Sequence, residues 1–565
     1  MGGKPDLGSF ALRPASWIAA RLKTLSGLGL VIAALFMAAA LTPSLIPRSP
    51  ALQGFLCGLS LTAGYALGGL MRLIWQTLEL PRFSESAQRL LLQGAGLLAT
   101  GLVLASLWLS LGWQNEIRQW MGMAPEQSGR LIVVLAIALA VATVLLLLSR
   151  LFLVVAHLVE GRAKRFLSRP LAWMLGVGSA AFLFWSIGNG VLLTRGLTLM
   201  DSAYAAVDAV IQTDIAPPAD RAKTGSAASL IGWQGIGHEG RNTVAAWPNA
   251  AEITGLSGVP AQEPIRVYVG LNSASSPEAR AELALAELLR VGAFERSLLV
   301  IATPTGTGWL DQAGMAPLEI LHGGDVASVS VQYSYLPSWL SLLLAPEYGK
   351  VTARAVFRQV YGHWTSLPQD QRPRLFLFGL SLGALNSMLS SDLYEVIDDP
   401  FDGALWVGPP FASKVWRDAV TGRDPESPIW RPVFRESRTL RFANRGTGFL
   451  GPDEPSQNWG PLRIGFLQYP GDPITFFDPE SVLRAPEWLG EPRTPDLPPG
   501  LRWYPIVTTL QGILDLVTAT QVPPGHGHVY ASADYLRAWT DLTEPVGWTP
   551  DTLARIEAVL SERGL

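Results

Sequence analysis

Long uncharged apolar spans dominate the first third of this 565-residue chain and restrict its fold more than any other feature. Five follow one another, at Thr24–Pro47, Ser49–Met71, Leu90–Gln114, Leu131–Ser149 (extending past Arg150 to Val159) and Pro170–Thr194. As helices, each is long enough to cross a hydrocarbon layer of ~30 Å, which takes about 20 residues. Several are rich in Gly, Ala and Ser, as closely packed membrane helices are. We therefore predict an all-α domain with about five transmembrane helices over residues 1–199.

The first span also has signal-peptide features, namely a basic start and Ala38–Ala40 near its end. The four spans that follow favour an uncleaved anchor. Lys and Arg cluster in the N-terminal segment and in the loops after spans two and four, at Lys4, Arg13, Arg21, Lys23, Arg72, Arg82, Arg89, Arg162, Lys164, Arg165 and Arg169. The opposite loops carry only Arg48, Arg118 and Arg130. Because cytoplasmic loops are enriched in these residues, we predict a multi-pass inner-membrane protein with a cytoplasmic N-terminus and an extracytoplasmic C-terminal part.

Composition narrows the classes of function. Hydrophobic residues make up 49% of the chain and charged residues 16%, with a mean hydropathy of +0.26, which is unusual for a soluble enzyme. The net charge of −3 gives no reason to expect nucleic-acid binding. A single cysteine, Cys57, excludes an intramolecular disulfide and a cysteine-rich metal site. We expect the lipid bilayer as a partner and no metal or cofactor, whereas oligomeric state has no sequence signal.

From Pro264 onwards, apolar strand patterns alternate with helical patterns. The predicted strands are Ile265–Leu271, Leu298–Thr303, Ala327–Tyr335, Leu375–Phe378, Gly403–Val407 and Ile464–Tyr469. This alternation predicts an α/β domain over residues 263–565 with a mainly parallel sheet, preceded by a connector at 200–262. Residues 411–462 are rich in Arg, Pro and Gly and are predicted to be an irregular, lid-like insertion.

One predicted strand runs into Gly379-Leu-Ser381-Leu-Gly383, and a helical pattern starts directly after it. A strand, a Gly-x-Ser-x-Gly turn and a helix form the setting in which a serine becomes a nucleophile. The glycines are needed because a Cβ at either flank would clash in so tight a turn. Ser381 is therefore the candidate nucleophile.

A nucleophilic serine needs a histidine base and a carboxylate that orients the histidine, and in this fold they follow in the order Ser, acid, His. Only His526 and His528 come after Ser381. We favour His528, which lies beside the last helix, and keep His526 in reserve. Asp472 follows a predicted strand and is the preferred acid, with Asp478 as the reserve. A metal site at Gly-His-Gly-His is less favoured because no cysteine and few carboxylates are near.

Two backbone N–H groups are expected to stabilise the developing oxyanion. One is predicted at Leu382, at the helix start, and the other in the loop after Leu298–Thr303, at Gly306 or Thr307. The stretch Tyr333–Leu344 forms either core or an acyl pocket. In the pocket interpretation, Trp309, Tyr335 and Trp339 contact the substrate.

The sequence resembles the bacterial integral-membrane α/β-hydrolases with an N-terminal multi-helix domain, α/β-hydrolase family 9. The stretches that carry the resemblance are Ser44–Ser49, Arg266–Leu271, Thr305–Trp309, Gln332–Trp339, Gly379–Gly383 and Gly525–His528. The resemblance implies an α/β-hydrolase fold with a Ser-Asp-His triad, joined to membrane helices, and it fixes no substrate. One departure from the wider pattern is a predicted helix, Glu278–Val291, between the first two strands.

These observations predict a membrane-anchored serine hydrolase (an esterase or lipase-like enzyme) that cleaves an acyl ester, lipid-like in character, through an acyl-enzyme. Two alternatives stay open at this point. One is an acyltransferase with the same residues, and the other is a catalytically silent lipid-binding or transport protein.

Overall fold

The computed structural model describes residues 26–562 except 82–83, 128, 213, 339, 342–345, 451–458, 491, 494–496 and 499. The basic N-terminal segment, Arg82, Trp339 and most of 339–345 lie outside the described residues. The chain divides into two compact units. The first comprises residues up to Ser186 with Pro479–Leu489 and Pro498–Asp515, and the second comprises Ile187–Asp478, Gly490–Leu497 and the chain from Leu516.

The α-helices of the described residues are numbered in chain order. They are α1 (Gly27–Ala40), α2 (Pro50–Thr77), α3 (Glu85–Trp120), α4 (Arg130–Ala163), α5 (Arg169–Trp185), α6 (Thr194–Ala209), α7 (Gly237–Ala245), α8 (Ala250–Ser257), α9 (Pro277–Arg290), α10 (Gln312–Leu321), α11 (Pro346–Ser366), α12 (Leu382–Met388), α13 (Leu393–Val396), α14 (Lys414–Thr421), α15 (Pro473–Phe476), α16 (Val507–Thr518), α17 (Ser532–Thr543) and α18 (Pro550–Glu562).

Four helices of the first unit are long and apolar enough to cross a membrane: α2, α3, α4, and α5 with its continuation to Gly190. The segment that follows α5, Ser186–Leu193, is π-helical. Ser26, Ser49 and Ser84 cap α1, α2 and α3 by accepting hydrogen bonds from first-turn N–H groups.

The first predicted span is shorter than expected. Its helix, α1, has 14 residues, which at 1.5 Å per residue gives about 21 Å against a hydrocarbon layer of ~30 Å. It ends at Ala40, well before the predicted end at Pro47. Pro43 and Pro47 explain the early stop, because a proline disfavours helical backbone at the residue before it. The described residues thus contain four helices of spanning length in place of the predicted five.

The core of the first unit includes side chains from far along the chain. Leu41, Leu56, Cys57 and Leu107 pack with Val507 and Leu514 of α16. Buried charges accompany this packing: Arg48 Nη2 lies 3.4 Å from Asp515 Oδ1, and both side chains are almost fully buried. Asp515 also accepts hydrogen bonds from Ser44 Oγ and the Leu45 N–H. The Ser44–Ser49 stretch therefore binds the carboxylate of a helix more than 450 residues later.

Seven strands form the sheet of the second unit. They are β1 (Ile265–Val269), β2 (Leu298–Thr303), β3 (Val326–Val331), β4 (Arg374–Leu380), β5 (Gly403–Val407), β6 (Leu440–Ala443) and β7 (Arg463–Leu467). All pairs are parallel, in the order β1-β3-β2-β4-β5-β7-β6. The predicted α/β-hydrolase-type sheet is confirmed, and the largest boundary difference is β3, which ends at Val331 instead of Tyr335. β1, β2, β3 and β5 are buried throughout, as parallel strands covered on both faces are.

Helices cover both faces of this sheet. α9 packs on α11, and α10 packs on α17. Right-handed crossovers put these two pairs on opposite faces, because the chain moves in opposite directions across the sheet through α9 and α10. The loops after β2, β4, β5 and β7 consequently meet at the carboxyl edge of the sheet, where ligands bind in such folds.

Two segments are more regular than predicted. The connector 200–262 contains α7 and α8, and the insertion 411–462 contains α14 and the edge strand β6, which pairs with β7. These two helices, which lie wholly within the connector, have fewer than ten residues each, too few for an apolar period to be recognised. The lid role of the insertion stays a prediction.

Removal of one partner of the Arg48–Asp515 pair is expected to destabilise the first unit. Asp515→Ala leaves a buried guanidinium without its carboxylate, which costs about 3–5 kcal/mol, whereas Arg48→Met with Asp515→Leu recovers most of the loss. Thermal unfolding in detergent measures the stability of Asp515→Ala and of the double variant. The exposed pair Arg89–Glu85 is the control, since Glu85→Ala removes a solvated contact and leaves the midpoint unchanged. Equal midpoints for wild type and Asp515→Ala contradict the prediction.

Candidate active site

Ser381 lies at the carboxyl end of the central strand β4, immediately before α12. Its backbone has φ 57° and ψ −124°, a conformation that costs a residue with a side chain on the order of 1–3 kcal/mol. The N–H of Ser381 donates to the carbonyl of Val407 in β5 at 2.9 Å, which ties the turn to the neighbouring strand. The local strain and the position at the sheet edge are those predicted for a nucleophilic serine.

The two glycines of this turn have no room for a side chain. A Cβ on Gly379 would lie 2.5 Å from the backbone carbonyl of Gly383, and a Cβ on Gly383 would overlap the carbonyl oxygen of Thr303 in β2. The steric reason for the Gly-x-Ser-x-Gly pattern is thereby confirmed.

His528 and Asp472 are in direct contact. His528 Nδ1 lies 2.7 Å from Asp472 Oδ2, and the carboxylate is completely buried. Asp472 Oδ2 also accepts a hydrogen bond from the hydroxyl of Tyr530 at 2.8 Å, and Oδ1 accepts one from the Ile474 N–H at 2.8 Å. Within the described part of the chain, His528 Nε2 is buried without a hydrogen-bond partner. An imidazole held in this way offers Nε2 as a proton acceptor.

Ser381 and His528 line the same cavity, which has a volume of about 840 Å³ and a mostly apolar wall. Its apolar side chains include Leu310, Pro337 and Ile474. Volume and lining fall in the range of small-molecule sites, where a few polar groups orient an otherwise apolar ligand.

The reserve residues lie elsewhere. His526 Nδ1 is 3.4 Å from Arg445 Nη1, and His526 is not among the described residues that line the cavity. Burial, aided by the Arg445 charge, lowers the pKa of His526 to about 4, so it is neutral but weakly basic at pH 7. Asp478 is half-buried and likewise absent from the described lining, and the carboxylate against His528 is that of Asp472.

The predicted oxyanion donors have different environments. Leu382 begins α12, so its N–H has no acceptor within the helix. The N–H of Gly306 donates to Ser338 Oγ at 3.2 Å. This hydrogen bond occupies the N–H group that was predicted to donate to the oxyanion. The carbonyl of Thr307 accepts from Gln332 Nε2, and Thr305 of the same loop lines the cavity. The oxyanion role of this loop stays a prediction.

Of the predicted substrate-binding residues, Trp309 lines the cavity and is 39% exposed. Tyr335 is half-buried and is not among the described lining residues. Trp339 lies outside the described residues.

Comparison with known families agrees with this architecture. A model of the α/β-hydrolase family matches residues 265–556, and a model of the N-terminus of the same family, family 9, matches residues 41–248. The chain belongs to the α/β-hydrolase family. No curated protein is significantly similar to the chain in sequence. The resemblance found in the motifs is confirmed, and a hydrolase-type function follows from the family.

Sequence reasoning missed several residues at the site of this α/β-hydrolase. Tyr530 contacts the carboxylate that binds His528, and Gly408, at φ 47°, lies where a Cβ would approach His528 Cε1 to 2.7 Å. The sequence signal for Gly408 was its position directly after β5. α7 contributes Glu239, Asn242 and Thr243 to the cavity wall, although its segment had been predicted to be only a connector.

Asp311 is the N-cap of α10. Its carboxylate also lines the cavity and accepts a hydrogen bond from the hydroxyl of Tyr535 at 2.7 Å. Burial raises the pKa of Asp311 to about 6, because its hydrogen bonds only partly replace water.

A methyl group on either turn glycine is expected to disable the α/β-hydrolase. Gly383→Ala forces β2 and α12 apart, because the new Cβ overlaps Thr303, so we expect a destabilisation of about 1–3 kcal/mol and a loss of serine reactivity. Gly362→Ala is the matched control: Gly362 lies inside α11 with nothing within 4 Å of the position that a Cβ would take, so alanine is tolerated or stabilising. Thermal unfolding and active-site labelling report on both, and a fully reactive Gly383→Ala protein contradicts the steric argument.

Proposed function

We propose that this α/β-hydrolase is a membrane-anchored serine hydrolase that cleaves an acyl ester through an acyl-enzyme on Ser381. The observation that supports it is the 2.7 Å contact between His528 and Asp472, with His528 Nε2 unengaged among the described residues on the cavity that Ser381 lines. In this proposal His528 takes the Ser381 proton during attack and donates it to the departing alcohol. Asp472 keeps the proton of His528 on Nδ1 and stabilises the imidazolium.

The tetrahedral intermediate places negative charge on the former carbonyl oxygen. The Leu382 N–H, in the first turn of α12, is the proposed first donor. The second is proposed from the loop after β2, whose Thr305 lines the cavity. Water then attacks the acyl-enzyme with His528 as base, which completes hydrolysis.

The proposed substrate is lipid-like. The mostly apolar wall of the 840 Å³ cavity and the four membrane-length helices support this proposal. Turnover of acyl esters that differ only in acyl-chain length measures the preference for lipid-like substrates. Exclusive turnover of short charged esters contradicts this preference. Analysis of the products, free acid or transferred acyl group, separates hydrolysis from acyl transfer.

The catalytic unit is proposed to lie outside the cytoplasm of the cell. The loop between α4 and α5 carries Arg162, Lys164 and Arg165, which favours a cytoplasmic position for that loop. A single crossing by the span Arg169–Gly190 then puts the following chain on the opposite side. The extracytoplasmic position follows whether or not α1 crosses the membrane.

A fluorophosphonate probe is expected to label the wild type and not Ser381→Ala. Labelling of His528→Ala and Asp472→Asn is expected to be at least about 10²-fold slower, the usual contribution of a general base. Failure of the folded wild type to react contradicts the hydrolase and favours a catalytically silent lipid-binding protein.

Two variants serve as controls for the labelling. Ser366→Ala removes an exposed serine at the end of α11 and is expected to react like wild type. His526→Ala is expected to retain labelling, since His526 contacts Arg445 and is absent from the described cavity wall. Loss of labelling in His526→Ala but not in His528→Ala assigns the base to His526.

Single-cysteine labelling tests on which side of the membrane the second unit lies. Val546 of the second unit is 97% exposed, and Val546→Cys in a Cys57→Ala background is expected to react with an impermeant maleimide on intact spheroplasts. Arg165→Cys, on the proposed cytoplasmic loop, is the matched control and reacts only after lysis. The reverse pattern refutes the proposed orientation.

A further inference from the structure

One wall of the active-site cavity has no role in the chemistry proposed above. It is formed by α7 and the residues after it, through Glu239, Asn242, Thr243 and Trp247. Trp309, on the loop after β2, lines the same cavity and is 39% exposed as a residue. We call the set Glu239, Asn242, Thr243, Trp247 and Trp309 the α7 wall.

The polar side chains of the α7 wall differ in their remaining capacity for hydrogen bonds. Asn242 Oδ1 accepts from Gln212 Nε2 at 2.8 Å, and Thr243 Oγ1 donates to the carbonyl of Glu239 at 2.9 Å. Among the described residues, the nearest ionic partner of the Glu239 carboxylate is His238, whose Nδ1 is 3.6 Å from Oε1. Glu239 therefore retains acceptor capacity for a ligand, whereas Asn242 and Thr243 are largely occupied.

The charge of the cavity has one sign. Its described lining contains the carboxylates of Glu239 and Asp311 and no lysine or arginine. The Asp311 carboxylate accepts hydrogen bonds from Tyr535 and from the Ala313 N–H, so it is internally bound. Arg241 of α7 is fully buried outside the lining, and its Nη2 donates to the carbonyls of Asp208 and Val210.

Glu239 is thus the group that a charged ligand meets in the cavity. A carboxylate that retains acceptor capacity in a mostly apolar cleft has a large effect, because low-dielectric walls focus its field. It attracts an ammonium group and repels a phosphate, sulfonate or carboxylate. Trp309 on the same cavity adds to this selectivity, since aromatic faces attract cations.

Building on the proposed hydrolase function, we propose that Glu239 selects the alcohol portion of the substrate by charge. Esters whose alcohol portion bears an ammonium group are bound, with the cation at Glu239, and esters with anionic headgroups are excluded.

Binding to the full-length Ser381→Ala protein in neutral detergent tests this selection without turnover. The probes are hexyltrimethylammonium, 1-hexanol and hexanesulfonate, which share one alkyl chain, and isothermal titration calorimetry gives their affinities. The ammonium is expected to bind at least about tenfold more tightly than the sulfonate. Adding Glu239→Gln is expected to bring that ratio close to one, and Glu239→Asp to keep most of it because the charge remains.

Glu282→Gln is the matched control, since Glu282 is an exposed glutamate on α9 outside the described cavity lining. Its ammonium-to-sulfonate ratio is expected to equal that of the parent. Equal or tighter binding of the sulfonate, or a ratio that Glu239→Gln leaves unchanged, overturns the inference. The affinity for 1-hexanol reports whether each variant keeps a formed cavity.

The two proposals fail separately. A wild type that does not react with fluorophosphonate contradicts the hydrolase, while the affinity ratio still decides whether Glu239 selects for positive charge. A reactive wild type without an affinity preference contradicts only the role of Glu239.

Discussion

The left-handed backbone at Ser381 is the constraint on which the second unit depends. A serine at φ 57° is strained, and it is held there by its N–H bond to Val407 and by glycines that let β2 and α12 approach it closely. Strands on both sides of β4 therefore take part in presenting one hydroxyl group. The strained turn places the serine at the carboxyl edge of a parallel sheet, next to the loops that follow the neighbouring strands.

Asp472 joins the remaining parts of the site. Its buried carboxylate accepts hydrogen bonds from His528, Tyr530 and the first turn of α15, so each oxygen is occupied. A fully bonded carboxylate keeps one orientation, and the histidine that it binds keeps one tautomer. Gly408 leaves the space that this pair requires. The cavity beyond is mostly apolar, and Glu239 is a charged residue of its wall.

In the first unit, residues that are far apart in the sequence pack against each other. Arg48 and Asp515 are distant in the chain, yet they form a buried ion pair in the same unit. Burial of such a pair carries a desolvation penalty, and each buried charge is tolerated only with its partner. Neither residue is exceptional in the sequence, so neither the pair nor the assignment of α16 to both units was predicted.

The sequence by itself determined four membrane-length helices, the parallel α/β sheet and the position of Ser381 in a glycine-flanked turn between a strand and a helix. Each depends on a local pattern: apolar length, strand-helix alternation or glycine spacing. Chain order also reduced the candidate histidines to two. Only the tertiary structure decided that Asp472 meets His528, that Gly306 donates to Ser338, that α1 is short and that α7 forms a cavity wall. These features depend on contacts between segments far apart in the chain, and a side chain's partner across such a distance has no period or spacing that a single sequence reveals.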